Sequence, residues 1–515
     1  MQFKLVDSIM DVNNSESEDG AYLIHGSWDD WFTYETSYGL WVKKNGQPYF
    51  IGTTKIGSSK MKSGQRTADV PSEFTVLAED FFSLGNDEAF YIELNTPIMS
   101  EYREAILNGL RDISFDEELY LKVNKTNVFT VSLSRDISLT SITGRFRRLS
   151  QGNIKLSNYD FGYKLGEEQA ALEFKVNRDV LPPSNIHTII GRNGVGKSHV
   201  LSNMIKNIVE NTDAFFFNTE FEDNYFANIL SVNYSTFENK EIVPNNSDKT
   251  KGYLYYHLSS TSKSRKNYSF LDEKNEEVKP DGMDALFIDS IEQCFNKKPK
   301  RWKDCINILY SDPVFRKIKV TDLYNNFVYN SDKNHFYRTS YNLFSKLSSG
   351  HKIVLLTLTK LVELSEEKTL IIMDEPEMHL HPPLLGSFIR SLSKLLNEVN
   401  GVAILATHSP IILQETQRNC VYKIVSREGN ILKVERPVIE TFGEDIGVLT
   451  SEVFGLEVTE SGFRKLLKDV VDQGLSFEES RRIFGDNLGS EAYTMLLTQI
   501  NLRDKNVVKE VRVIE

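Results

Sequence analysis

Residues 191–198 read Gly191-Arg192-Asn193-Gly194-Val195-Gly196-Lys197-Ser198, between an apolar run, Ile186 to Ile190, and a stretch of helical patterning, His199 to Val209. No other feature constrains the fold so tightly. The three glycines let successive backbone amides curl inward, and a helix starting at once behind them adds the positive end of its dipole. Strand, phosphate loop and helix together require an α/β core with a buried strand feeding the loop, and the segment matches the Walker A pattern in full. Lys197 is then placed to reach the β- and γ-phosphates of ATP, and the Ser198 hydroxyl to bind Mg²⁺. The expected nucleotide cradle is Gly191, Arg192, Asn193, Gly194, Val195, Gly196, Lys197, Ser198 and His199.

Three further segments fit around such a loop. Thr369-Leu370-Ile371-Ile372-Met373-Asp374-Glu375-Pro376 is a continuous apolar strand that ends in two acids. A strand of that composition is buried on both faces, so the acids emerge at its C-terminal end, where α/β proteins bind ligands. Asp374 is placed for the Mg²⁺ shell and Glu375 for activating or positioning the attacking water. Val402-Ala403-Ile404-Leu405-Ala406-Thr407-His408-Ser409 is a second buried strand, closing in a histidine able to sense the γ-phosphate. Leu347-Ser348-Ser349-Gly350-His351-Lys352 precedes an apolar helix, Ile353 to Leu364; Ser349 or Ser348 suits its N-cap, and the exposed amides suit an anion. Catalytic roles are thus expected for Lys197, Glu375 and His408, metal binding for Ser198 and Asp374, and nucleotide contacts for Ser348, Ser349 and Gly350.

At 515 residues the chain is too long for one ordinary core. A hydrophobic content of 40% supports a substantial interior, and a net charge of −12 excludes a uniformly basic nucleic-acid coat while leaving room for a local basic patch. Cys294, Cys305 and Cys420 are odd in number and widely spaced, which argues for incidental thiols in a reducing cytoplasm over a disulfide framework or zinc site. The N-terminus lacks the apolar segment of a signal peptide, and no stretch approaches the ~18 apolar residues of a membrane span, so a soluble, cytoplasmic protein is expected.

The fold expected is α/β, with a mainly parallel sheet flanked by helices and an antiparallel β subdomain. Residues 1–150 read as a mixed α/β module. Strands are expected at Phe50-Ile51-Gly52, Ala89 to Leu94 and Val128 to Val131, and a short helix from Ser100 to Leu110. Trp28, Trp31, Phe32, Tyr34 and Trp41 are expected in its core. Residues 151–235 hold an antiparallel hairpin, Tyr159 to Tyr163 with Ala171 to Val176, and the glycine loop. Residues 236–343 read as an insertion, loop-rich over Glu238 to Lys251 and Ser259 to Asn267, then helical. Residues 344–425 carry the other motifs and end in a strand from Cys420 to Val425, and 426–515 form a mostly helical tail.

Order and spacing of the four motifs resemble the ABC ATPase superfamily, in the branch of SMC-like, OLD-like and bacterial defence ATPases. Leu347 to Lys352 looks like the signature of that superfamily, Glu375-Pro376-Glu377-Met378-His379-Leu380-His381-Pro382 like the D-loop of the branch, and Ala406 to Pro410 like its H-loop. The resemblance is specific over residues 186–235 and 345–412. It implies that Ser349 and Gly350 of one copy contact the γ-phosphate held by the Walker motifs of another, giving a homodimer or higher homo-oligomer with composite ATP sites. Two departures stand out. The Q-loop glutamine is missing, with Asn233 or Ser235 offered instead, and the signature has Ser349 for glycine and His351 for glutamine. His379-x-His381 near Glu377 also offers metal-ligand chemistry, although it coincides with the D-loop.

What ATP drives is read from what the chain lacks. OLD-like nucleases carry a C-terminal Toprim domain with Asp-x-Asp; no Asp-x-Asp follows Pro410, and no His/Cys cluster suits an HNH nuclease. The layout resembles the ATPase subunit of Septu-type anti-phage systems, which implies a separate nuclease effector, HNH-type first and Toprim-type second. An alternative is a RecF- or SMC-like DNA-associated ATPase, binding through Lys297-Lys298-Pro299-Lys300-Arg301-Trp302-Lys303 with Lys263, Arg265 and Lys266. A transporter subunit is disfavoured by the missing glutamine, which ordinarily couples to a membrane partner.

Overall fold

Parallel strands with no polar face must be covered on both sides, and the other elements arrange themselves around that demand. The computed structural model describes residues 1–14, 18–26, 34–61, 65–135, 137, 139, 141–152, 159–166, 171–210, 212–217, 226, 228–233, 254–258, 262–271, 276–329, 332–428, 431–455 and 462–514.

The chain opens with β1 (Phe3–Val6), α1 (Ile9–Asn13), β2 (Gly20–His25), β3 (Ser37–Lys44), β4 (Gln47–Ser58), β5 (Glu73–Phe74) and β6 (Phe81–Gly85). These strands form one sheet in the order β5-β1-β2-β3-β4-β6. Only β1 and β2 pair in parallel. Helices α2 (Glu88–Glu93), α3 (Arg103–Leu110), α4 (Glu117–Val123) and α5 (Arg147–Ser150) share with it a hydrophobic cluster that runs from Phe3 to Leu149. Phe50 to Gly52 lies in β4 and the helix expected from Ser100 is α3, but two expected strands are helical. Ala89 to Leu94 falls in α2 because Asp87 caps it, its carboxylate accepting from the Ala89 and Phe90 amides at 2.9 and 3.3 Å. Val128 to Val131 runs into a π-helix, Phe129–Leu133, where Phe129 and Leu133 are buried in the cluster instead of pairing across strands. Tyr34 is buried and Trp41 packs on Phe50 at 4.9 Å, while Trp28, Trp31 and Phe32 lie outside the described residues.

Next come β7 (Tyr159–Lys164), β8 (Ala171–Val176), β9 (Ile186–Gly191), α6 (Lys197–Val209), β10 (Phe215–Phe217), β11 (Asn228–Asn233) and β12 (Leu254–Leu258). The hairpin expected at 159–176 is present, with Tyr159 opposite Val176, and β10 adds a third antiparallel strand. A small ribbon, β13 (Phe270–Leu271) and β14 (Glu277–Val278), leads to α7 (Gly282–Lys297), α8 (Pro299–Ile308), α9 (Pro313–Ile318), α10 (Asp322–Tyr329), α11 (Lys333–Ser345) and α12 (Ser349–Leu364). The chain continues through β15 (Thr369–Asp374), α13 (Pro382–Glu398), β16 (Val402–Thr407), α14 (Pro410–Gln414), β17 (Val421–Glu428), β18 (Ile431–Glu435) and α15 (Ile446–Phe454). Helices at Gly462–Val471, Phe477–Ile483 and Ser490–Ile514 follow. Among the described residues no helix is long and apolar enough to cross a membrane.

The central sheet has the order β12-β11-β15-β16-β9-β17-β18, parallel except for the β17–β18 hairpin. Strand alternation divides its side chains between two cores. Leu370 and Ile372 of β15, with Val402, Ile404 and Ala406 of β16, pack with Phe161, Phe174 and Leu201. Ile371 and Met373, with Ala403 and Leu405, pack with Phe287, Leu355 and Leu392 on the other side. Burying each larger apolar side chain of this kind is worth about 1.5–3 kcal/mol. Residues 236–343 supply part of that structure: β12 is an edge strand of the sheet, and α7, α8, α9, α10 and α11 all contribute to the second core. The loop expected over Glu238 to Lys251 lies outside the described residues.

The basic run at 297–303 is not a free cationic face. Arg301 is 2% exposed, paired with Glu88, and donates to the Ser365 carbonyl at 3.0 Å. Lys298 donates to the Glu363 and Ser365 carbonyls at 2.8 and 2.9 Å and pairs with Glu366 at 3.1 Å. Arg265 pairs with Asp289 and Glu363, and Lys266 with Glu292. Lys298 and Arg301, like the fully buried Trp302, face inward at the start of α8, whereas Arg265 and Lys266 stay exposed and reach buried carboxylates from the surface. The N-terminal region meets the same place: Arg145 pairs with Glu88 at 2.6 Å, Arg148 holds Glu367 through two bonds of 3.0 and 3.2 Å, and Ser141 donates to Glu366. The turn between α12 and β15 is thus clamped from both sides. All three cysteines are free and buried, and burial pushes the Cys294 and Cys420 thiols up to about 12.

Burial alone would raise the Glu88 carboxyl, but Arg145, Arg301 and Lys298 outweigh it and hold it at about 2. The depressed value means that its contribution to stability is present above the ordinary carboxylate range and is lost as pH falls toward 2. Arg301→Ala should destabilise the protein by about 3–5 kcal/mol in urea unfolding at neutral pH, whereas exposed Lys300→Ala should stay within about 0.5 kcal/mol. Equal effects of the two would remove the structural role of Arg301.

Candidate active site

Parallel strands buried on both faces can present polar groups only beyond their ends, and four neighbours end at one edge. Asn233 of β11 is in register with Asp374 of β15, Asp374 with Ala406 of β16, and Thr407 with Ile190 of β9. The edge therefore carries, in order, Asn233, the acids Asp374 and Glu375, Thr407 with His408, and the glycine loop. Asn233 is the residue that the sequence offers at the missing Q-loop glutamine; Ser235 lies outside the described residues.

The loop joins β9 to α6, with Gly194 and Gly196 at φ of 79° and 105°, a region that strains other residues. Gly191 is constrained by the sheet instead, since a Cβ there would sit 2.6 Å from the Ile424 carbonyl oxygen. No side chain caps α6, so its first amides keep their hydrogen-bonding capacity for an anion. Lys197 is 5% exposed and folds back over the loop, its Nζ donating to the Gly191 and Arg192 carbonyls at 2.9 and 3.0 Å. Burial lowers its pKa, and Glu375, Asp374 and Glu377 act against that fall. The buried lysine and the acidic strand end therefore share one site.

Not every cradle residue offers its side chain. Arg192 donates to the Phe454 carbonyl at 2.9 Å, linking the loop to the end of α15, and His199 contacts Asn203 at 3.2 Å along the helix. Their backbones form part of the loop and the helix start. Val195 packs against the core, Asn193 is exposed, and Ser198 lies in the first turn of α6.

Glu375 adopts the left-handed conformation, φ 46°, which a non-glycine residue holds only when its surroundings fix it. Its amide donates to the Ala406 carbonyl at 2.9 Å, locking the acidic turn to β16. The His408 side chain is 44% exposed, with Nδ1 3.6 Å from Glu375 and 3.2 Å from Glu377. Glu377 had no place in the expected nucleotide machinery. Its Oε1 accepts from the Thr407 hydroxyl at 2.6 Å and the His408 amide at 2.8 Å, fastening the histidine beside the acids. The signals in the sequence were its place in the D-loop-like segment and its position just beyond Glu375. Among the described residues, no group of three or more His, Cys, Asp or Glu is arranged to hold a metal ion, which leaves the His379-x-His381 reading without geometric support.

The signature residues are held elsewhere in the chain. Ser348 occupies the N-cap position of α12 without capping it, Ser349 opens the helix, and Gly350 presses on the D-loop segment. A Cβ on Gly350 would lie 2.5 Å from the His379 carbonyl oxygen.

Glycine loop, acid-tipped strand and histidine-tipped strand meet at one end of a single parallel sheet, the arrangement of an α/β phosphate-loop fold. A family model described as "AAA domain, putative AbiEii toxin, Type IV TA system" matches residues 207–414. Protein ea59 of Escherichia phage lambda is 34% identical over 517 residues, covering 95% of this chain and 96% of that protein. The chain belongs to the family of protein ea59. Solved structures with a similar arrangement include a nucleotide-free ATP-binding cassette from an ABC transporter, at 15% identity and a TM-score of 0.27, covering 58% of this chain and 99% of that one. Another is cbiO1 from Clostridium perfringens, part of the cbiONQ transporter complex, at 15% identity and 0.29, covering 60% and 95%.

Gly350→Ala should drive the signature off the 379–381 segment and cost about 1–3 kcal/mol, seen as a lowered thermal midpoint. An unchanged midpoint would contradict the close approach.

Proposed function

We propose that the chain is a Mg²⁺-dependent ATPase whose sites are completed by a second copy, and that closure of this dimer by ATP controls a separate nuclease effector. The observation that carries the ATPase reading is the convergence, at one end of the central sheet, of the glycine loop with buried Lys197, the acid-tipped β15 and the histidine-tipped β16. In this reading the α6 amides and Lys197 hold the β- and γ-phosphates, while Ser198 and Asp374 hold Mg²⁺, which screens the phosphate charge. Glu375 orients and deprotonates the attacking water, and His408, steadied by Glu377, donates to the γ-phosphate. Ser348, Ser349 and Gly350 of the second copy close over that phosphate. Their location on a D-loop-braced helix start supports delivery from outside the chain's own phosphate loop.

A role in the contest between phages and hosts is supported by the family description, which names a toxin of a type IV TA system, and by a full-length relative carried by a phage. The effector favoured is an HNH-type nuclease, then a Toprim-type one, as in Septu-type systems. The DNA-binding alternative loses its main support, because Arg301, Lys298, Arg265 and Lys266 are committed to buried or partly buried carboxylates.

Glu375→Gln should stop turnover and accumulate an ATP-bound dimer, doubling the mass by light scattering. Lys197→Ala in the same background should stay monomeric at every ATP concentration. A Glu375→Gln chain that remains monomeric at saturating ATP would refute the composite site. Affinity capture of the full chain from its native host should recover a nuclease in nucleotide-dependent amounts, and equal recovery with and without ATP would refute the gating.

A further inference from the structure

The inference concerns what aims the signature serine, and it rests on the composite site proposed above. Ser348 has extended backbone at the N-cap of α12, where a serine ordinarily accepts from the first helical amides. Its hydroxyl is turned elsewhere, with Oγ 2.6 Å from His351 Nδ1. The other ring nitrogen, Nε2, lies 3.3 Å from Asp312 Oδ1. Asp312 is buried and caps α9, its Oδ1 accepting from the Val314 and Phe315 amides at 2.8 and 3.2 Å. The Phe315 ring packs on the imidazole at 5.3 Å. The second Asp312 oxygen lies 3.6 Å from Nε2 of His381, the residue that opens α13 after the D-loop. One buried carboxylate therefore lies against both the signature histidine and the end of the D-loop segment.

We propose that Asp312 and His351 are positioning residues that hold the Ser348 hydroxyl where the signature of one copy meets the terminal phosphate on the other. With Nε2–H donating to Asp312, Nδ1 is left to accept from Ser348, so two bonds run from the buried carboxylate to the signature hydroxyl and fix its place at the start of α12. On the same helix Lys352 is engaged with Asp284 at 2.9 Å, which leaves the imidazole to Asp312.

The test measures steady-state ATP hydrolysis by the full chain and its His351→Leu and His351→Gln variants. Loss of the bond that holds Ser348 should lower kcat of His351→Leu roughly tenfold, with KM for ATP within about twofold because each chain's own phosphate loop is intact. His351→Gln, which keeps a hydrogen-bonding group at this position, should recover part of kcat. Wild-type turnover by His351→Leu, or no recovery by His351→Gln, would overturn the positioning role. The underlying reading fails separately: with Glu375→Gln added, ATP would then dimerise none of the chains, including the one with an unaltered signature.

Discussion

Burial of the central sheet on both faces is the constraint from which the site follows. With α6 and the antiparallel strands on one side and α7, α12 and α13 on the other, β9, β11, β15 and β16 are buried along their length, and polar side chains inside them such as His187, Thr188 and Ser231 are buried too. The polar residues able to face a ligand lie where the strands end, at one edge. The glycine loop, the acid pair and His408 meet there because four neighbouring parallel strands end in register. Glu375 in its left-handed conformation and Glu377 bonded across to Thr407 and His408 show that the edge is also tied laterally.

The far end of the same elements is held differently. The turn between α12 and β15 is gripped by Arg148, Ser141, Lys298 and Arg301, and Glu88 from the N-terminal region completes the buried network. α12 begins at the signature and β15 ends at the acid pair. The clamp therefore sits where the helix that presents one motif turns into the strand that presents the other. Buried ionic contacts of this kind add little net stability over apolar packing but are costly to break from one side. They join the N-terminal sheet to the ATPase core through oriented contacts.

The meeting of the glycine loop, the acid pair and His408 was legible in the sequence because continuous apolar runs ending in polar residues have few other solutions. β9, β15 and β16 fall where Ile186 to Ile190, Thr369 to Asp374 and Val402 to Thr407 suggest. What failed was decided by partners distant in sequence. Phe90-Tyr91-Ile92 has strand-like composition, yet Asp87 caps a helix there and the cluster around Phe3 buries it. The run at 297–303 looks like a cationic surface until Glu88 and the Ser365 carbonyl take up Arg301. β12 stands in a stretch flanked by Asn, Lys and Ser and gains its place only by pairing with β11. Glu377 stands in the D-loop-like segment without a role of its own and Asp312 in no motif at all, so neither could be assigned before the residues that they contact were placed.

Division of each ATP site between two copies is the central claim, and mixing two inactive chains tests it most directly. Lys197→Ala removes the phosphate grip and Ser348→Arg blocks the signature, so neither variant alone should hydrolyse ATP. In an equal mixture half of the dimers carry one complete site, so activity should return to about a quarter of the wild-type value. A mixture as inactive as its components would place the whole site within one chain and contradict the account.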